Sequence, residues 1–185
     1  MNDVIGVDEV GRGCWAGPLV AAAVRLNCPV EGLRDSKILS AKRRAELARL
    51  IDHSASVGIG WVSAHEIDEH GITWSVQQAM MRAIEQISID DSSVIVDGNI
   101  NYLQTVPKSV AVVKADDTVP AVSAASIVAK VARDTYMQQI ARTYPDYGFE
   151  HHVGYGTAQH KAGLQRAGLT PLHRRSFRPV REFML

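Results

Sequence analysis

Val4-Ile5-Gly6-Val7-Asp8-Glu9-Val10-Gly11-Arg12-Gly13-Cys14-Trp15-Ala16-Gly17-Pro18, continuing into Leu19-Val20-Ala21-Ala22-Ala23-Val24, is the stretch on which the fold turns. Val4–Val10 is a short β-branched run that reads as a strand, and Gly11-Arg12-Gly13 reads as a turn. Two continuations compete. Gly11-x-Gly13-x-x-x-Gly17 imitates a dinucleotide-binding fingerprint, with Asp35 near the distance of a ribose-binding acid. That motif requires a helix to begin in the glycine turn. Pro18 and the small, partly β-branched Leu19–Leu26 instead predict a second buried strand, which makes a hairpin and disfavours a nicotinamide oxidoreductase.

Outward from the hairpin, Ser40–His53 has helical spacing at Ala41, Leu47, Leu50 and Ile51, with Ser40 as N-cap. Val57–Val62 reads as a third strand, His65–Ile87 as one or two helices, and Ser93–Val96 as a short buried strand ending in Asp97-Gly98-Asn99. Val110–Lys114 is another strand, and Pro120 suits the first turn of a helix running to Tyr144-Pro145. The rest mixes loop and helix. Strands first, then strands alternating with helices, predict an α/β sandwich with a mixed sheet.

The chain has 185 residues, 46% of them hydrophobic and 22% charged, which fits one domain with an ordinary core and excludes a disordered or fibrous protein. Cys14 and Cys28 form no disulfide framework and lack zinc-site spacing. The opening residues lack a basic, then apolar, signal pattern, and the apolar run Leu19–Val24 is far too short to span a bilayer. The expected location is the cytoplasm. Net charge is zero, yet residues 151–185 hold six Lys or Arg against Glu182 alone, and Arg34–Arg49 holds six against Asp35 and Glu46. Such segments are solvated helix faces or a polyanion-facing surface.

Three acidic positions share one setting, a carboxylate at the end of an apolar strand: Asp8-Glu9, Asp97 and Asp116-Asp117. A carboxylate there is costly unless paired or bound to metal, and strand ends in α/β sheets are where sites gather. With no Cys or His interleaved, the cluster suits Mg²⁺ or Mn²⁺ rather than Zn²⁺. Neighbours in a strand face opposite ways, so Asp8 and Glu9 cannot both reach one ion from a regular strand. Either the strand breaks at Glu9, or Glu9 offers its carbonyl, or it serves a second ion. The helix after Pro120 is crowded with Ala and Ser (Ala121, Ser123, Ala124, Ala125, Ser126, Ala129), which reads as close packing. Asp134 follows Lys130 by one turn, which predicts an exposed ion pair rather than a fourth ligand. His65 and His70 miss zincin spacing, and no nucleophile elbow or Walker loop is present.

These residues resemble a known family, the type 2 ribonucleases H (ribonuclease HII). Gly6–Gly13 with Ala16-Gly17-Pro18, Asp35-Ser36-Lys37, Val96-Asp97-Gly98, Lys114-Ala115-Asp116, Ser123–Val131, Gly154-Tyr155-Gly156-Thr157 and His173-Arg174-Arg175-Ser176-Phe177 occur in the family's order across nearly the whole chain. The resemblance implies an RNase H-like fold, a five-stranded mixed sheet flanked by helices with a helical C-terminal extension. The catalytic domain would be residues 1–145 and the substrate-binding extension 146–185. It implies endonucleolytic cleavage of RNA in RNA–DNA hybrids, including single ribonucleotides embedded in duplex DNA, with roles in ribonucleotide excision and RNA primer removal. Asp8, Glu9, Asp97 and Asp116 would be the catalytic and metal-binding carboxylates for two Mg²⁺ or Mn²⁺ ions. The products would carry 5′-phosphate and 3′-hydroxyl ends. Gly11, Arg12 and Gly13 would read the ribonucleotide through backbone groups, Tyr155 would pack at the RNA–DNA junction, and Lys37 would meet a phosphate. No obligate protein partner and no membrane are implied. Cys14-Trp15 and Val153 depart from the family's pattern, Val153 standing where a lysine is common.

Overall fold

In a computed structural model of the chain, residues 4–33, 36 and 38–184 are described. The glycine turn does open a hairpin: β1 (Val4–Val10) and β2 (Leu19–Leu26) run antiparallel, with Asp8 opposite Ala22 and Glu9 opposite Ala21. β3 (Ala55–Val62) extends the sheet antiparallel to β2, while β4 (Ser93–Asp97) lies parallel to β1 and β5 (Ser109–Val112) parallel to β4. The order β3-β2-β1-β4-β5 is the expected five-stranded mixed sheet.

α1 (Ala41–Ser54) begins where Ser40 accepts a hydrogen bond from the Arg43 amide. α2 (Ala64–Ile84) opens with a capping box between Ser63 and Glu66, and Gly71 (φ 80°) kinks it, so one run carries two helical segments. α3 (Ala115–Thr118) is a single turn leading into α4 (Pro120–Ile140), which has Pro120 in its first turn. α5 (Phe149–His152), α6 (Ala158–Ala167) and α7 (Arg178–Arg181) make the C-terminal region helical, as expected.

Strand alternation divides the core between two sheet faces. Val7, Ala21, Ala23 and Val96 pack with Ile67, Val76 and Met80 of α2. Ala22 and Val24 pack with Leu47 and Ile51 of α1 and with Ala124, Ala125 and Ile127 of α4. A Cβ on Gly6 would stand 2.2 Å from the backbone of Ala121 and Val122, so only glycine lets α4 cross β1 this closely. The buried small residues of α4 are the other half of that contact. A third cluster joins Ala16 and Met137 to Tyr147, Phe149 and Leu164, seating the C-terminal helices beside the glycine turn.

Several boundaries differ from the sequence reading: β3 starts at Ala55 rather than Val57, and α2 ends at Ile84 rather than Ile87. β5 stops at Val112 because Lys114 takes a left-handed conformation (φ 57°) that starts α3. α4 ends at Ile140, and the segment to Tyr144 is turn. Among the described residues no helix is long and apolar enough to cross a membrane.

Candidate active site

β1 pairs regularly with β2 through Val10, so it does not break at Glu9 and its two acidic side chains leave by opposite faces. Asp8 faces α4 and is buried, accepting hydrogen bonds from the Ser126 hydroxyl and from the Glu9 amide at 2.8 Å. Ser126 is itself 2.9 Å from the Ser36 hydroxyl. Burial first, then the charge of Glu9, with Asp97 adding, push the Asp8 carboxyl up to about 8 against those two hydrogen bonds. Glu9 is also raised, by burial and by Asp97, although the Arg12 guanidinium at 3.6 Å opposes this. Arg12 donates its other arm to the Tyr102 hydroxyl at 3.1 Å.

Asp97 closes β4, the strand beside β1, and its Oδ1 accepts the Ala115 amide at 2.7 Å. That bond fixes the start of α3 against the sheet. Asp116 is the next residue and is buried, whereas Asp117 is exposed. The Ser123 hydroxyl donates to the Asp116 carbonyl, tying α3 to α4. Asp134 pairs with Lys130 at 2.9 Å as expected, though both side chains are about a fifth exposed rather than open to solvent.

Among the described residues, no three Asp, Glu, His or Cys side chains converge on a point where one ion would be caged. The donor set nonetheless suits a hard divalent cation, being all carboxylate oxygen. Burial and the neighbouring charges of Glu9 and Asp97 keep a proton on Asp8, and a cation would offset the negative charge of that cluster.

The glycine turn is held from behind by two buried arginines that make no ion pair with a described carboxylate. Arg133 donates to the carbonyls of Pro18 (2.8 Å), Ala16 (3.1 Å) and Val153 (2.8 Å). Arg174 donates to the carbonyls of Gly17 and Arg12. Gly11 (φ 91°) lies against Arg133, where a Cβ would come within 2.2 Å of its Nε, while Gly13 borders open space. Arg174 is therefore not part of an exposed basic face. Burial draws its charge into the fold, where carbonyl dipoles satisfy it.

Tyr155 is 43% exposed, on a turn bonded to the hairpin by the Trp15 and Ala16 amides, which both donate to the Gly154 carbonyl. Burial and the neighbouring Cys14 thiol raise its phenol. Cys14 is buried, and the Trp15 ring covers Gly156 with Lys161 Nζ 5.7 Å from its centroid, so this departure fills the rim between the two turns. Val153 sits in a left-handed conformation (φ 45°) with its carbonyl on Arg133. Lys37 and Asp35 lie outside the described residues.

Sequence reasoning missed Ser126 as a partner of Asp8, because a serine in an alanine-rich helix reads as packing. It missed Arg133, whose acceptors are more than 100 positions away for Ala16 and Pro18.

The family model for ribonuclease HII matches residues 5–180. A ribonuclease HII of Maricaulis maris is 47% identical over 180 residues, covering 96% of this chain and 83% of its own. The crystal structure of ribonuclease H2 from Pyrococcus horikoshii superposes with a TM-score of 0.82 at 27% identity, covering 98% of this chain and 96% of that one. The structure of the PCNA:RNase HII complex from Archaeoglobus fulgidus gives 0.78, also at 27% identity, with 95% of both chains covered. Carboxylates at the ends of adjacent parallel strands, a clamped glycine turn and these likenesses agree: the chain belongs to the ribonuclease HII family and is an endoribonuclease acting on RNA–DNA hybrids.

Proposed function

We propose that the enzyme cleaves at single ribonucleotides embedded in duplex DNA as well as in longer hybrids, leaving 5′-phosphate and 3′-hydroxyl ends, and serves ribonucleotide excision and RNA primer removal in the cytoplasm. One observation carries the siting of the chemistry. At the ends of β1 and β4 the charge of Asp97 bears on both Asp8 and Glu9, and that of Glu9 on Asp8, while Asp97 is bonded to the residue before Asp116.

In this reading Asp8, Glu9, Asp97 and Asp116 hold two divalent ions, Mg²⁺ or Mn²⁺. Glu9, leaving by the other face, serves the second. When bound, such ions supply positive charge to the scissile phosphate and acidify a water for in-line attack. Ser126 orients the Asp8 carboxylate, and the Ala115 amide holds that of Asp97. Gly11, Arg12 and Gly13 present backbone groups to the 2′-hydroxyl, the group that separates RNA from DNA. Tyr155 packs at the junction. Lys37 meets a phosphate, and residues 146–185 act as a substrate-binding extension of the catalytic domain 1–145. Phosphate contacts of this kind position the duplex without reading its sequence.

The test is product mapping on an end-labelled DNA duplex with one ribonucleotide, beside an all-DNA duplex and a long hybrid. Cleavage on the 5′ side of the ribonucleotide, with the all-DNA duplex intact, is expected. Cutting of the long hybrid alone would remove the roles given to the glycine turn and Tyr155.

A further inference from the structure

Outside the carboxylate site, three histidines gather in the C-terminal region. His152, His160 and His173 are all buried, with ring centroids 4.9 Å apart for the first pair and 5.2 Å for the second. Every one of their ring nitrogens has a partner, and the partners with fixed chemistry decide where the protons sit. The Gly154 amide donates to His152 Nδ1 at 3.2 Å, so Nε2 carries the proton and donates to the Tyr147 carbonyl at 2.8 Å. The Tyr155 carbonyl can only accept, so His160 Nδ1, 2.9 Å away, carries its proton and Nε2 is left as an acceptor. His173 Nε2, 3.0 Å from that atom, must then donate, and its Nδ1 accepts the Thr170 amide at 2.9 Å.

All six nitrogens keep these partners only if all three rings are neutral. A second proton on His152 or His160 would set a donor against a donor, and one on His173 Nδ1 would displace the Thr170 amide and leave only the Thr170 hydroxyl, 2.9 Å away, to accept it. Burial, with each ring's charged or imidazole neighbours, agrees: His160 and His173 are both lowered to about 4, His152 opposing charge on His160, and His160 and then Arg175 opposing it on His173. The arrangement brackets Tyr155. Its preceding amide, on Gly154, ends on His152, and its own carbonyl ends a chain running from Thr170 through His173 and His160.

We propose that His152, His160 and His173 are positioning residues that fix the Tyr155 turn and thereby set how strongly the enzyme prefers a ribonucleotide within DNA to a long hybrid. This rests on the reading of Tyr155 as a substrate contact. All three histidines are buried and take no direct part in the chemistry in this proposal. They act through the backbone on either side of Tyr155.

The experiment measures kcat and KM for the single-ribonucleotide duplex and the long hybrid with the full chain and with Tyr155→Ala, His160→Ala, His160→Asn and the double variant Tyr155→Ala/His160→Ala. Folding is checked by circular dichroism. Each alanine change is expected to lower the ratio of the two kcat/KM values about fivefold, and the double variant no further than Tyr155→Ala, because contacting residues acting through one another do not add. His160→Asn, which keeps a donor near the Nδ1 position, is expected to hold the ratio within about twofold of the unaltered chain. A ratio lost in Tyr155→Ala but kept in folded His160→Ala, or losses that multiply, would overturn the proposal and leave the Tyr155 reading standing. An unchanged ratio in Tyr155→Ala would remove that reading and the proposal with it. ¹⁵N-histidine spectra of the unaltered chain decide independently of any variant's folding. Neutral rings with protons on His152 Nε2, His160 Nδ1 and His173 Nε2 are expected at neutral pH, and any other tautomer overturns the proposal.

Discussion

Asp8 is a carboxyl that its surroundings keep protonated near neutral pH, at about 8 against an ordinary 3.8, through burial and the neighbouring charges of Glu9 and Asp97. The consequence for stability has a definite sign. Between those two values the folded chain holds a proton that the unfolded chain releases, so without metal stability falls as pH rises through that window. Asp8→Asn removes the titrating group and keeps the shape. In chelator at pH 8 its thermal midpoint is expected above that of the unaltered chain, with cleavage abolished in metal. An unchanged or lowered midpoint would deny that Asp8 is electrostatically strained. Asp8, Glu9 and Asp97 were legible as strand-end acids because an apolar run closed by a carboxylate is a local pattern. Ser126 and Arg133 were not, since their meaning comes from partners the chain brings over long distances.

The hairpin was legible because Pro18 and the small, partly β-branched run after it disfavour the competing helix, and the start of α1 because Ser40 is a local signal, whereas the capping box of Ser63 and Glu66 that opens α2 went unread. The closeness of α4 to β1 was half legible: its small residues announced tight packing, but not that Gly6 is where the helix crosses. Gly6→Ala places a methyl against backbone that cannot yield cheaply, and a loss of about 3 kcal/mol in denaturant unfolding is expected. A loss within experimental error would mean that α4 shifts freely. The end of β5 escaped prediction because the left-handed turn at Lys114 answers to the sheet and α3 rather than to local propensity. In the C-terminal region, His160 of α6 and His173 of the loop before α7 act with a sign opposite to that of Asp8. Their folded values near 4 lie below the ordinary 6.5, so the unfolded chain takes up protons first and stability falls as pH drops from about 6.5 toward 4. Thermal midpoints of the double variant His160→Gln/His173→Gln are expected to depend less on pH across that window than those of the unaltered chain.

At the level of the assembled chain, the sheet brings the carboxylates to the ends of β1 and β4, while Arg133 bonds the glycine turn and the Tyr155 turn together. In the proposed reading, negative charge in the site binds metal and exposed basic residues such as Lys161 bind a polyanion. Duplex affinity should therefore fall with salt, and Lys161→Ala, which removes the cation over Trp15, should lower the slope of log affinity against log salt by about one. An unaltered slope would take Lys161 off the substrate path. The zero net charge hid this arrangement, and the basic count of the C-terminal segment overstated it, since Arg174 is spent on carbonyls inside the fold. Everything in the proposed reaction depends on the assignment of metal binding, and so of cutting at a ribonucleotide, to the strand-end carboxylates. The most direct test of that assignment is cleavage of a duplex with one ribonucleotide by the unaltered chain and by Asp97→Asn, each in Mg²⁺, Mn²⁺ and EDTA. Cutting is expected from the unaltered chain with either metal and not in EDTA, with a loss of at least about 100-fold in folded Asp97→Asn. Undiminished cutting by Asp97→Asn, or cutting in EDTA, would contradict it.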